Sequence, residues 1–197
     1  MFDLGKVILD FDFTPAFKGL SKVCGLSPIE IEAFFVTSGL EVLYDGGKIS
    51  TADFYKEVRR GLKHSLSFSE FKKVWNDIFT PKPEMTRLVE RLSPRYRMVL
   101  ISNTNPMHFQ HIRSRFPVIK RFDRAILSFE EKIRKPDARI YRKAIRACLA
   151  DPQEIFYIDD RDDLTSAVEE MGLRTFTFKN NPANLVRKLR SLKIGVL

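Results

Sequence analysis

Cysteine is nearly absent from this sequence. Only Cys24 and Cys148 occur among 197 residues, and they lie far apart without metal-ligand spacing. A disulfide framework and a zinc–thiolate site are therefore excluded, and both thiols are expected to be small apolar side chains in a reducing compartment. The three histidines, His64, His108 and His111, form no ligand set by spacing and read as surface or packing residues. No apolar run approaches the ~20 residues that span a bilayer; residues 7–9 and 98–101 are typical of those present. The first residues carry an acid, Asp3, where a secretory signal requires basic side chains, and no small-residue cleavage site follows. A cytoplasmic protein without a membrane partner is expected. Repeats and low-complexity tracts are also missing.

What is present is enough for a folded core: 44% of the residues are hydrophobic and 30% charged. The length fits one domain carrying a substantial insertion and leaves no room for two large ones. Basic residues outnumber acidic ones 34 to 25, a net charge of +9, and the excess falls in residues 81–197. There the basic side chains, such as those of Arg139, Arg142, Lys143 and Arg146, keep to the polar side of an amphipathic pattern. A solvated basic face accounts for them, so no nucleic-acid partner is expected.

The pattern changes along the chain. From Pro15 to Ile78 it reads as successive helices. Ser27-Pro28-Ile29-Glu30 and Ser67-Phe68-Ser69-Glu70 are capping boxes, Ser50 or Thr51 caps a third segment, and Asp45-Gly46-Gly47 is a turn. Beyond it, short apolar runs at 98–101, 125–127, 155–158 and 175–178 alternate with helical stretches, which predicts a parallel sheet. Ligands of such sheets gather beyond the carboxyl ends of the strands.

Four places satisfy that rule. Ser102-Asn103-Thr104-Asn105-Pro106 offers a hydroxyl and free N–H groups for a phosphate, although an ordinary capped loop is the better explanation of the stretch when taken alone. Asp159 and Asp160 end a strand as adjacent carboxylates, costly without a cation and suited to Mg²⁺. Asp162 or Asp163 can cap the next helix. Lys135 precedes Pro136, which can open a helix, and is a compact cation for a phosphoryl oxygen. The fourth place, residues 2–14, holds Asp3, Asp10 and Asp12.

Taken in chain order, the four motifs resemble the haloacid dehalogenase (HAD) superfamily of hydrolases, and within it the glucose-1-phosphatase type of sugar-phosphate phosphatase. The strings that carry the resemblance are Asp3-Leu4-Gly5-Lys6-Val7, Ser102-Asn103-Thr104-Asn105, residues 134–141 around Lys135-Pro136, and Asp159-Asp160. It implies an α/β fold with a Rossmann-like parallel-sheet core, formed by residues 1–14 and 79–197, and an inserted helical cap at 15–78. It further implies Mg²⁺-dependent hydrolysis of a small phosphorylated metabolite through an aspartyl-phosphate. By resemblance Asp3 is the nucleophile; Asp3, the main-chain carbonyl of Gly5, Asp159 and Asp160 hold Mg²⁺; and Ser102, the N–H of Asn103 and Lys135 hold the phosphoryl group.

Two departures leave alternatives open. Most superfamily phosphatases carry an acid two positions after the nucleophile, where this chain has Gly5, and loss of such a group typically costs ~10²–10⁴-fold. A catalytically degenerate phosphate- or protein-binding domain, or a haloacid dehalogenase, are the rival readings. Only Met1 and Phe2 precede Asp3, a short lead for a buried strand. A second register therefore takes residues 7–9 as the strand and Asp10 as the nucleophile. Phe11 and Phe13 are candidate substrate contacts, whereas most of Phe17, Phe34, Phe35, Phe54, Phe68, Phe71 and Trp75 are expected in a helical core.

Overall fold

The computed structural model describes residues 1–195. After an extended segment at residues 1–3, a turn at 6–8 leads into β1 (Leu9–Phe11), which pairs antiparallel with β2 (Phe79–Pro81), Asp10 opposite Thr80. Between these two strands run five helices: α1 (Thr14–Cys24), α2 (Pro28–Ser38), α3 (Leu40–Asp45), α4 (Thr51–Leu62) and α5 (Phe68–Asn76). Ser27 and Ser67 close the predicted capping boxes, and Ser50 rather than Thr51 caps α4. Phe54, Val58 and Leu62, four residues apart along α4, put one stripe inside. They join Leu20, Ile31, Phe35, Phe71 and Trp75 in an aromatic-rich cluster of the helices' own.

The rest of the chain builds the sheet. It runs α6 (Pro83–Leu92), β3 (Val99–Ser102), α7 (Pro106–Arg115), β4 (Arg124–Leu127), α8 (Ser128–Glu131), α9 (Ala138–Cys148), β5 (Phe156–Asp159), α10 (Asp162–Glu169), β6 (Arg174–Thr177) and α11 (Pro182–Ser191). Strands β3 and β4 are parallel, as are β5 and β6. Residues 1–3 join the two pairs, because Phe2 bridges in parallel to both Leu100 and Ile158. Phe2 N donates to Val99 O at 2.9 Å, and Asp3 N to Ile158 O at 2.8 Å. The short lead before Asp3 is thus the central strand of the sheet.

Side-chain alternation sends Leu100 and Ile158 to one face with Met85, Val89 and Leu185, and Val99, Ile101 and Tyr157 to the other with Ile140 and Ala144. Helices cover both faces, so the central strands read as continuous apolar runs. The observed strands lie within a residue or so of the predicted runs, and Ser102 and Asp159 are the last residues of their strands. Among the described residues no helix is long and apolar enough to cross a membrane.

Two local expectations are corrected. Neither Asp162 nor Asp163 caps α10, whose N-cap is Arg161; both lie in its first turn, where Asp162 accepts from Lys179 and Asp163 from Arg161. Pro136 does not open α9: Asp137 is its N-cap, the side chain accepting from Arg139 N at 2.9 Å.

Candidate active site

Three adjacent parallel strands end at the same place, and Asp3, Ser102 and Asp159 stand at their carboxyl ends. Carboxylate oxygens of Asp3, Asp159 and Asp160 lie within 4.8 Å of one another. Lys135, carried by the loop before α9, reaches between two of them: its Nζ is 2.6 Å from Asp3 Oδ1 and 2.7 Å from Asp159 Oδ2. Tyr157 Oη donates to the same Asp159 oxygen, and Arg161 N to the other at 3.1 Å.

The lysine is itself pinned. Its N–H donates to Asn103 Oδ1 at 2.8 Å, and Asn103 Nδ2 donates to its carbonyl at 3.0 Å. The side chain of Asn103, for which the resemblance implied only a main-chain role, therefore fixes the loop that delivers Lys135. Ser102, Asn103, Lys135, Asp160 and Gly5 line one chamber of about 180 Å³ with Asp3 and Asp159.

Burial decides the electrostatics. Removal from water raises the Asp3 carboxyl to about 6; Lys135 opposes that shift and Asp159 reinforces it. Burial pulls the Lys135 ammonium down, yet Asp3 and Asp159 together hold it above its ordinary value. Asp160 is raised by burial and by Asp159. Three carboxylates against one ammonium leave two negative charges, all on hard oxygen atoms, and this donor set fits a divalent cation of the Mg²⁺ type.

The residues of the competing register lie apart from this cluster. Residues 6–8 form a turn rather than a strand, and Val7, Ile8 and Leu9 are all fully buried. Asp10 accepts from Lys6 Nζ at 2.6 Å and is held below the usual carboxylate range by that bond. It lines neither the chamber nor its extension. Asp12 is taken up by Thr14 N at 2.9 Å.

At Gly5 the side chain is missing for a visible reason. A Cβ there would come within 2.8 Å of the Phe11 ring, which also carries Lys6 Nζ 4.6 Å above its centre. Phe11 stands where a side chain at position 5 would have to begin.

Beyond Gly5, Phe11, Ser102 and Asn103 the chamber continues into a second one of about 110 Å³ beneath the helices. Phe11 and Phe13 line it, as does His108, which is buried between the layers. His108 Nε2 faces Trp75 O at 3.3 Å, so Nδ1 accepts from Asn105 Nδ2 at 3.0 Å and the ring is neutral. Burial lowers its pKa to about 3. Glu41 and Asp45 of α3 complete the wall. Neither was marked by the sequence, since nothing next to them along the chain points to a site.

A family model for haloacid dehalogenase-like hydrolases matches residues 2–172. The chain belongs to this family. Among curated relatives of this HAD hydrolase, a D-ribitol-5-phosphate phosphatase of Bacteroides thetaiotaomicron is 27% identical over 190 residues, 91% of each chain. A glyceraldehyde 3-phosphate phosphatase of Pyrococcus abyssi is 31% identical over 86 residues, 43% of this chain and 36% of that one. A HAD family enzyme of Bacteroides thetaiotaomicron, solved with magnesium and inorganic phosphate, superposes with a TM-score of 0.82 at 28% identity, covering 90% of this chain and 92% of that one. An L-2-haloacid dehalogenase of Xanthobacter autotrophicus has a TM-score of 0.63 at 16% identity, covering 98% of this chain and 82% of that one, a likeness of fold alone.

Proposed function

We propose that this HAD hydrolase is a Mg²⁺-dependent phosphomonoesterase acting on a small phosphorylated polyol or sugar. The observation that carries the reading is the convergence of Asp3, Ser102, Lys135, Asp159 and Asp160 on one chamber at three strand ends. Relatives named as phosphatases of phosphorylated three- and five-carbon compounds support the substrate class. Residues 1–14 and 79–197 act as the catalytic core and residues 15–78 as its cap.

Asp3 attacks phosphorus in line with the departing alkoxide, which takes its proton from solvent, forming an aspartyl-phosphate; water then attacks the phosphorus of that intermediate, giving up a proton to solvent, to release phosphate and free the carboxylate. Asp3, Asp159, Asp160 and the Gly5 carbonyl hold the divalent cation, which lowers repulsion between the carboxylate and the ester. Ser102 Oγ, Asn103 N–H and Lys135 Nζ bind the phosphoryl oxygens. Lys135 also keeps Asp3 ionised against the pull of burial. A binding domain without turnover would not need Asp3 turned toward Asp160, yet the two share one oxygen cluster.

The test is phosphate release from p-nitrophenyl phosphate and from a pentitol 5-phosphate, with Mg²⁺ and with EDTA, for the parent, Asp3→Asn and Asp10→Asn. Mg²⁺-dependent release lost at least ~10³-fold in Asp3→Asn alone is expected. Loss confined to Asp10→Asn would move the nucleophile. Metal-independent halide release from a 2-haloacid, with no phosphate release, would replace the reading by the dehalogenase one.

A further inference from the structure

The inner chamber has an acceptor with nothing to accept. Its wall is mostly apolar, with Leu4, Leu9, Phe13, Ile78 and Phe79. The polar groups set into that wall are largely engaged. Asp45 accepts from Asn105 Nδ2 at 3.0 Å and has Arg134 at 3.9 Å. His108 is bonded through both ring nitrogens. Thr104 N donates to Ser128 Oγ at 2.9 Å. Glu41 differs: among the described residues no donor reaches its carboxylate. Glu41 is half-buried; a carboxylate partly withdrawn from water in a largely apolar recess without a protein donor carries a cost, and such groups concentrate where a ligand supplies the missing partners.

The helix that carries Glu41 is fastened, so its position is set before any ligand enters. Ser128 Oγ donates to Asp45 O at 2.5 Å, joining the end of α3 to the start of α8. Gly47, at φ +61, lets the two backbones touch, since a Cβ there would lie 2.2 Å from Phe129 O. The charges facing Glu41 are Asp45 on its own helix and Arg134 from the loop before α9, two carboxylates against one guanidinium. The recess is therefore negative, rich in acceptors and contiguous with the phosphoryl chamber.

We propose that Glu41 is a specificity-determining residue, accepting hydrogen bonds from the hydroxyl groups of the alcohol released and repelling tails that carry a second negative charge. The inference rests on the phosphatase reading above and deepens it. A site built to bond a substrate hydroxyl discriminates strongly against analogues without one, and like charge brought into a recess of low dielectric adds rejection of the wrong tail.

The experiment compares the parent with Glu41→Gln and Glu41→Ala on three esters: p-nitrophenyl phosphate, a pentitol 5-phosphate with a neutral hydroxylated tail, and 3-phosphoglycerate with an anionic one. Glu41→Ala is expected to lower kcat/KM for the pentitol phosphate about 10–100-fold while p-nitrophenyl phosphate stays within about threefold. Glu41→Gln keeps the hydrogen-bonding shape without the charge, so its larger effect is a narrowed preference for the pentitol phosphate over 3-phosphoglycerate. Equal changes on all three esters, or an unchanged preference in Glu41→Gln, would overturn the inference. Calorimetric binding of the same two metabolite esters to Asp3→Asn, with and without Glu41→Gln, repeats the comparison without turnover. A parent inert toward every ester removes the phosphatase reading, and the binding preference then decides Glu41 by itself.

Discussion

The two walls of the cleft are built by opposite means. On the sheet side the buried side chains are bonded to one another: Lys135 lies between Asp3 and Asp159, Tyr157 and Arg161 N complete Asp159, and the Asn103 side chain clamps the lysine's backbone. On the helical side Glu41 is left unmatched, and order is imposed from behind by the Ser128–Asp45 bond and the Gly47–Phe129 contact. In the proposed reading the first wall is preorganised for a step that every ester shares. The second leaves one valence open for the part of the ester that varies. A chemical step and a selection step are thereby assigned to elements with separate hydrophobic clusters.

The largest effect should come from unbalancing the first wall. Lys135→Met leaves Asp3 and Asp159 buried without their cation, and breaking a buried pair of this kind costs about 3–5 kcal/mol. Denaturant unfolding in EDTA should show that loss, Mg²⁺ should restore part of it, and phosphate release should disappear. A loss below about 1 kcal/mol would mean that the carboxylates are not balanced by the lysine at all.

Next comes the fastening of the second wall. Gly47→Ala places a methyl group against Phe129 O in a left-handed conformation and should cost about 1–3 kcal/mol or more. Gly25 is the control: its φ is +72 but nothing lies within 4 Å of a Cβ, so Gly25→Ala should cost only about 1 kcal/mol. If the walls are independent, Gly47→Ala keeps p-nitrophenyl phosphate turnover and loses the preference among metabolite tails. Parallel loss of both would erase the distinction drawn between them.

Smaller again is the proton linkage of Glu41. Burial, reinforced by Asp45 and opposed by Arg134, raises it from 4.5 to about 7. The folded state then holds this proton more tightly than the unfolded chain. Its stabilising share is whole below pH 4.5, shrinks between pH 4.5 and 7, and is gone above that. Glu41→Gln should therefore unfold later than the parent at pH 8, by on the order of 1–2 kcal/mol after solvent screening, and together with it at pH 4. A difference that does not change with pH would show the carboxylate to be solvated and the second wall open.

The same contrast explains what could be read from the sequence. Ser102 and Asp159 end apolar runs long enough to be strands, so their location at the sheet's carboxyl edge followed from pattern, and Asp160 and Lys135 followed from motif order. The central strand was harder, because residues 1–3 earn their place only through bonds to β3 and β5 on either side. Glu41 was not legible: it precedes the exposed Val42 and Leu43 in a helix, and its meaning comes from a contact between residues 83 apart, Asp45 and Ser128. Nor was the cause of Gly5. The missing acid was visible in the sequence, but the Phe11 ring that fills its place is set by the turn at 6–8. Helical spacing sent Phe17, Phe35, Phe54, Phe71 and Trp75 to the helical core, where they lie, but Phe68 is exposed at the surface and Phe13, which lines the cleft, also packs on Phe17 and Trp75.

The smallest expected effect sharpens the comparison by leaving both walls alone. Ser27 caps α2 on the outer side of the helical layer, its Oγ accepting from Glu30 N at 3.3 Å while Glu30 reaches back to Ser27 N at 2.7 Å. Ser27→Ala removes one half of that reciprocal pair and should cost about 1 kcal/mol. α2 contributes Ile31 and Phe35 to the helical cluster but no residue to either chamber. Thermal unfolding should record the loss, with kcat/KM unchanged for all three esters. A change in the preference among tails would show that the stability of the helical layer, rather than the side chain of Glu41, sets selection.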